Sequence, residues 1–85
     1  MRKFTSVSWH WEGKQFVCSC SDGSLVTWAI KPGPARKPVS IVFPHREKGD
    51  SNEPLSPIDR VEWIVNRDGE NCLIFSGGLP QVQQQ

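Results

Sequence analysis

Eighty-five residues suffice for one small domain or a piece of a larger one. Ten basic and nine acidic residues leave a net charge of +1, which gives no electrostatic case for nucleic acid or an anionic membrane. The longest apolar run is far shorter than the roughly 20 residues of a membrane-spanning helix. Ser6, Ser8, His10 and Glu12 break up any apolar core behind Arg2 and Lys3, so the start does not read as a secretory leader.

Residues 4–9, FTSVSW, alternate: Thr5, Val7 and Trp9 fall on one side of a strand and Phe4, Ser6 and Ser8 on the other. Glu12-Gly13-Lys14 is a turn, and residues 15–20, QFVCSC, make a second strand. Ser21-Asp22-Gly23 is a tight-turn signal, so 15–20 and 24–30 (SLVTWAI) are expected to form a hairpin. Three prolines and a glycine between Lys31 and Pro38 end that strand, and VSIVF at 39–43 is a short fourth. Residues 44–57, PHREKGDSNEPLSP, carry three prolines, five charges and one large apolar residue, Leu55; they read as an exposed loop adding little to stability. IDRVEWIV at 58–65 and CLIFS at 72–76 are two more strands around an Asp68-Gly69 turn, and residues 80–85 read as a disordered tail.

The chain repeats itself. Val7-Ser8-Trp9 returns as Val61-Glu62-Trp63 after 54 positions, and Phe16-Val17-Cys18-Ser19 returns as Leu73-Ile74-Phe75-Ser76 after 57. Antiparallel strands repeating at this spacing are a β-propeller signature, with the 44–57 insertion extending the usual period of about 40–45 residues. The expected fold is therefore all-β: a WD40-like propeller fragment of about one and a half blades. Its parts are a four-stranded blade at 4–43, a loop at 44–57 and half a blade at 58–79.

The residues with reactive side chains do not make a site. Cys18, Cys20, Cys72, His10 and His45 are the Cys/His candidates for a metal, but Cys-x-Cys lacks the usual ligand spacing and no second close pair exists. A redox Cys-x-x-Cys is absent, and a cysteine nucleophile using His10 as base has no oxyanion motif beside it. Gly77-Gly78 has no following GK[ST] and is no phosphate loop. Trp9, Trp11, Trp28 and Trp63 lack the interleaved basic residues of a base-stacking platform; at least three are expected to pack between blades, with Trp11 exposed. Lys31, Arg36 and Lys37 are scattered through a proline-rich loop and read as solvated. The expectation is a non-enzymatic protein with no catalytic, cofactor-binding or metal residues and no cofactor. Cys18 and Cys20 are then small apolar groups inside a sheet, in a reduced setting.

The run Val7-Ser8-Trp9-His10-Trp11-Glu12-Gly13-Lys14-Gln15-Phe16, with Ser21-Asp22-Gly23-Ser24-Leu25 and Trp28, resembles the tomosyn and lethal giant larvae family. Lys37-Pro38, Pro44-His45, Ile58 with Val61-Glu62, and Ile74-Phe75-Ser76-Gly77-Gly78-Leu79 follow in the same order. The resemblance covers roughly residues 6–79, and Trp9-His10 with Glu12 to Phe16 are nearer the tomosyn branch. Cys20 departs from the histidine the family often has before SDG, residues 46–57 diverge, and Ser56-Pro57 replaces a common cysteine-proline pair. The resemblance implies part of the N-terminal WD40-type propeller of a large cytoplasmic protein, peripheral to the plasma membrane. Such proteins regulate vesicle exocytosis through syntaxin-type SNARE proteins, and the lethal giant larvae branch acts in cell polarity with the cortical cytoskeleton. The coiled coil with which tomosyns bind syntaxin has no counterpart here, since the chain has no heptads. The alternative is a free-standing small β domain, SH3-like or a partial barrel, that binds an unrelated peptide. Neither reading involves nucleic acid or a transmembrane segment. On the propeller reading the chain is a fragment that does not fold or act alone, because open blade faces would be wet.

Overall fold

The computed structural model describes residues 2–30, 37–46 and 54–80. The described chain forms strands and turns with no helix, and its strands follow the alternating runs to within one residue at each end. They are β1 (Phe4–Trp9), β2 (Gln15–Cys20), β3 (Leu25–Ala29), β4 (Ser40–Val42), β5 (Ile58–Val65) and β6 (Asn71–Gly77). All pairings are antiparallel: β1-β2-β3-β4 form one sheet and β5-β6 a second. This is the all-β arrangement expected of a WD40-like propeller fragment, one blade and the first half of another. Most of the proline-rich segment 31–38, the loop core 47–53 and tail residues 81–85 lie outside the described residues.

The sequence repeat is also a repeat of register. Phe4 pairs with Cys20, Val7 with Cys18 and Trp9 with Phe16. Ile58 pairs with Gly77, Val61 with Phe75 and Trp63 with Leu73. Each pair of the second hairpin lies 54 positions further on its first strand and 57 on its second. The irregularities recur as well, one between Phe4 and Ser6 and one between Ile58 and Arg60.

The bulge at Thr5 corrects the simple alternation. An extra residue breaks the period of two, so Thr5 turns to the side of Ser6 and not that of Val7 and Trp9. The Thr5 and Ser6 hydroxyls lie 2.6 and 2.8 Å from the same Ser19 Oγ.

The blade has two unlike faces. One carries Ser6, Ser8, Val17, Ser19 and Leu25 and packs against β5-β6, where Val17, Leu25, Ile58 and Val61 form the core with Trp63, Leu73 and Phe75 around it. The other carries Phe4, Val7 and Trp9, which are 59, 55 and 55% exposed, with Cys18 and Val26 buried in the middle of the sheet. Trp9 and Trp28, both on this face, therefore do not pack between the two sheets as expected; Trp9 tilts onto Phe16 at 5.1 Å between ring centres. Trp28 and Trp63 are half-buried and Trp11 is exposed, as its turn position implies.

The loop and tail need correction at their edges. Leu55 is buried, because Gly23 leaves space for it: a Cβ on Gly23 would sit 2.5 Å from the Leu55 Cβ. Gly23 also has φ +86°, which the turn requires. Leu55 bridges Pro80, and Ser56 N–H donates to Leu79 O at 2.7 Å, so residues 54–57 and 78–80 prolong the β5-β6 hairpin. Pro80 thus belongs to the folded part.

Burial decides which core changes matter. Val61 is buried and Ile64, three residues on, faces outward. Val61→Ala is expected to lower unfolding free energy by about 2 kcal/mol and Ile64→Ala by less than about 1 kcal/mol, measured by urea titration.

Candidate functional site

The most constructed region lies where β1 of the blade meets β5. An edge strand carries backbone N–H groups with no strand to receive them. Here serines of β1 receive them: Val61 N–H donates to Ser6 Oγ and Trp63 N–H to Ser8 Oγ, both at 3.0 Å. The Thr5 hydroxyl donates to the Ile58 carbonyl. The edge strand β5 is thereby fastened to the face of the blade through side chains and not through a continuous backbone ladder. The alternating serines of β1 are the residues that sequence reasoning missed. Their signal was polar side chains at every second position of a strand whose neighbours are apolar.

At one end of this seam the β1-β2 turn brings an aromatic group together. His10 is 6% exposed, and its ring meets Trp63 edge-on at 4.8 Å and lies 5.5 Å from Trp11. Its Nδ1 accepts the Glu12 N–H at 3.2 Å, which leaves the neutral ring its proton on Nε2. Trp11 Nε1–H donates to Asn71 Oδ1 at 2.7 Å, tying the turn to β6. The buried Trp63 Nε1–H has no hydrogen-bond partner among the described residues.

The other residues weighed from the sequence are not brought together. Cys18 and Cys20 share the blade face that points away from β5, while His10 points towards it, so the sheet separates thiol from imidazole. Burial holds both thiols above their ordinary 9.0, with the neighbouring Cys20 adding to the effect on Cys18. They are protonated at neutral pH, the opposite of an activated nucleophile or metal ligand. Cys72 lies on the outer face of β6, and His45 meets Phe75 edge-on at 5.5 Å. Among the described residues, no three His, Cys, Asp or Glu side chains come together to hold a metal ion. Gly77 and Gly78 lie at the open end of the β5-β6 hairpin, with Gly78 N–H donating to Pro57 O at 2.9 Å. Lys37 is exposed, and Lys31 and Arg36 lie outside the described residues. No helix among the described residues is long and apolar enough to cross a membrane.

The SDG turn is held by its own charge. Asp22 Oδ1 accepts the Ser24 N–H at 3.1 Å and the Ser24 hydroxyl, and Oδ2 accepts Arg2 Nε–H at 2.8 Å. Burial raises the Asp22 pKa, but the Ser24 and Arg2 hydrogen bonds and the Arg2 charge outweigh it and bring it below 3.8.

Two antiparallel sheets with one repeated register, packed face against face, define the class: a WD40-like propeller fragment. Comparison with known proteins shows what the chain is similar to. Lethal(2) giant larvae protein homolog 1 of Mus musculus is 28% identical over 83 residues, which are 95% of this chain and 8% of that protein. LLGL scribble cell polarity complex component 2 is 26% identical over 82 residues in Homo sapiens and 28% over 82 in Danio rerio, each with 95% of this chain and 8% of the relative covered. These matches bear out the resemblance to the lethal giant larvae and tomosyn family, and the chain spans about 8% of the length of these relatives. No family model matches the chain.

Two predictions test these environments. A thiol reagent at neutral pH is expected to modify Cys72 at least about 10-fold faster than Cys18 or Cys20, read by mass spectrometry of peptides. Because the folded Asp22 pKa is depressed, its contribution to stability is full above the unfolded value near 3.8 and is lost as pH falls through the lower folded value. The stability gap between wild type and Asp22→Asn, measured by urea unfolding, should hold at pH 6 and shrink below about pH 4.

Proposed function

We propose that this chain is a non-enzymatic segment of a propeller scaffold in a cytoplasmic, membrane-peripheral regulator of cell polarity and vesicle exocytosis. The observation that carries this reading is the register repeat, offset by 54 and 57 positions and seated through Ser6 and Ser8 on the preceding blade. The relatives named for a polarity complex support the polarity part. The exocytosis part, with syntaxin-type SNARE proteins as partners, rests on the motif resemblance from Val7 to Phe16 and from Ser21 to Trp28. A scaffold role also accords with protonated, buried thiols and a histidine engaged by tryptophan.

The reading is tested in the protein that carries this segment. Full-length protein should co-elute in size-exclusion chromatography with the cytosolic region of a syntaxin-type SNARE or with purified polarity-complex components. Ser6→Ala combined with Ser8→Ala strips the acceptors from two β5 amides and is expected to weaken that binding by at least about 5-fold through loosening of the propeller. Folded protein that binds neither class of partner would overturn the proposal.

A further inference from the structure

We propose that Trp11, at the end of the sheets where the β1-β2 and β5-β6 turns meet, is the docking point for an arginine side chain on an extended segment of a partner protein. Trp11 is 67% exposed, yet its ring is fixed. Its Nε1–H donates to Asn71 Oδ1 at 2.7 Å, and the ring lies 5.5 Å from that of His10 at a tilt of 30°. His10 is in turn buried against Trp63, so the support runs back into the seam. A large exposed ring held in this way has already lost the freedom that binding would otherwise cost.

The exposure belongs to this place in the repeat. On one side the following sheet is already there, through Asn71 of β6. The other side is judged from the second turn, which has a sheet before it. Gly69 N–H donates to Asn66 O at 3.0 Å as Gly13 N–H donates to His10 O at 2.8 Å, so Arg67 occupies the place of Trp11. Arg67 is exposed with β1-β2 in front of it. A sheet before the turn and a sheet after it both leave this place open.

The charges around the ring select the ligand. Glu12 follows Trp11 in the chain, with its side chain 46% exposed, and the exposed Glu70 precedes Asn71. Asp68 is a third exposed carboxylate in these two turns, against two basic groups, Lys14 and Arg67. An aromatic face attracts a cation, and carboxylates beside it add to the attraction. The same carboxylates oppose a phosphate backbone, which sets aside a nucleic-acid base as the occupant. Arginine fits better than lysine, because a planar guanidinium lies flat on the ring while its N–H groups reach carboxylates at the rim. The inference rests on the geometry of the two turns and is independent of the function proposed above.

The test uses the full-length protein that carries this segment and a short fluorescein-labelled peptide of alternating glycine and arginine, read by fluorescence anisotropy at low salt. Wild type is expected to bind with a Kd below about 1 mM. It should bind the citrulline version, which keeps the shape and loses the charge, at least about 5-fold more weakly. Trp11→Ala should weaken binding of the arginine peptide at least about 5-fold, and Trp11→Phe, which keeps a ring face, should recover part of that loss. Glu12→Gln combined with Glu70→Gln keeps the ring and should weaken binding at least about 2-fold, with a shallower dependence on salt. No binding by wild type up to about 1 mM, or unchanged affinity in Trp11→Ala, overturns the proposal. Equal affinity for the arginine and citrulline peptides also overturns it, and marks a neutral segment stacked on the ring instead. If Trp11→Ala loses its folded elution volume, the double glutamine variant decides, and unchanged affinity there overturns the proposal.

Discussion

Everything in this fold hangs on how β5 lies across the face of β1 without joining its sheet. Backbone amides at a strand edge must find acceptors, and an adjacent strand in ladder register would be the usual source. Here the Ser6 and Ser8 hydroxyls take that place for Val61 and Trp63. These hydroxyls stand on the face of the blade, so the second sheet is held over that face and not in line with it. That stacking buries Val17, Leu25, Ile58 and Val61 between the two sheets. Larger side chains at positions 6 and 8 would push β5 away, and apolar ones would leave two amides without acceptors.

The bulges serve the same junction. At Thr5 the extra residue brings a second hydroxyl to the seam, where it reaches both Ser19 and the Ile58 carbonyl. At the equivalent place in β5 the bulged residue is Asp59, which is exposed. The backbone feature is repeated while its chemistry is not, which distinguishes a position that has a neighbouring sheet from one that has none among the described residues.

Much of this was legible in the sequence. Glycine-containing turns at Ser21-Asp22-Gly23 and Asp68-Gly69 and strict alternation set six strands to within a residue, and the Val-x-Trp repeat anticipated the paired registers. Period-two reasoning failed at Thr5 because a bulge leaves no mark in side-chain polarity. It misjudged Trp9 because tryptophan signals burial by its size, while burial depends on whether a second sheet covers that face. Leu55 was lost in a polar stretch, since its partner Gly23 lies 32 positions earlier and only the folded chain shows the space that glycine leaves. Among candidate site residues, the dispersal of Cys18, Cys20 and Cys72 could be anticipated from spacing. The seam could not, because serine in a strand is usually read as solvent-facing.

The seam also bears on how freely the chain can vary in length. The Val61-to-Ser6 hydrogen bond joins residues 55 apart in sequence. The entropy of closing such a loop grows only with the logarithm of its length, about 0.6 kcal/mol for each doubling. Adding or removing several residues between Arg46 and Pro54 therefore changes the closure free energy by a small fraction of one hydrogen bond. The connection is thermodynamically almost indifferent to length, so the two halves of the repeat can keep one geometry while the stretch between them lengthens or shortens.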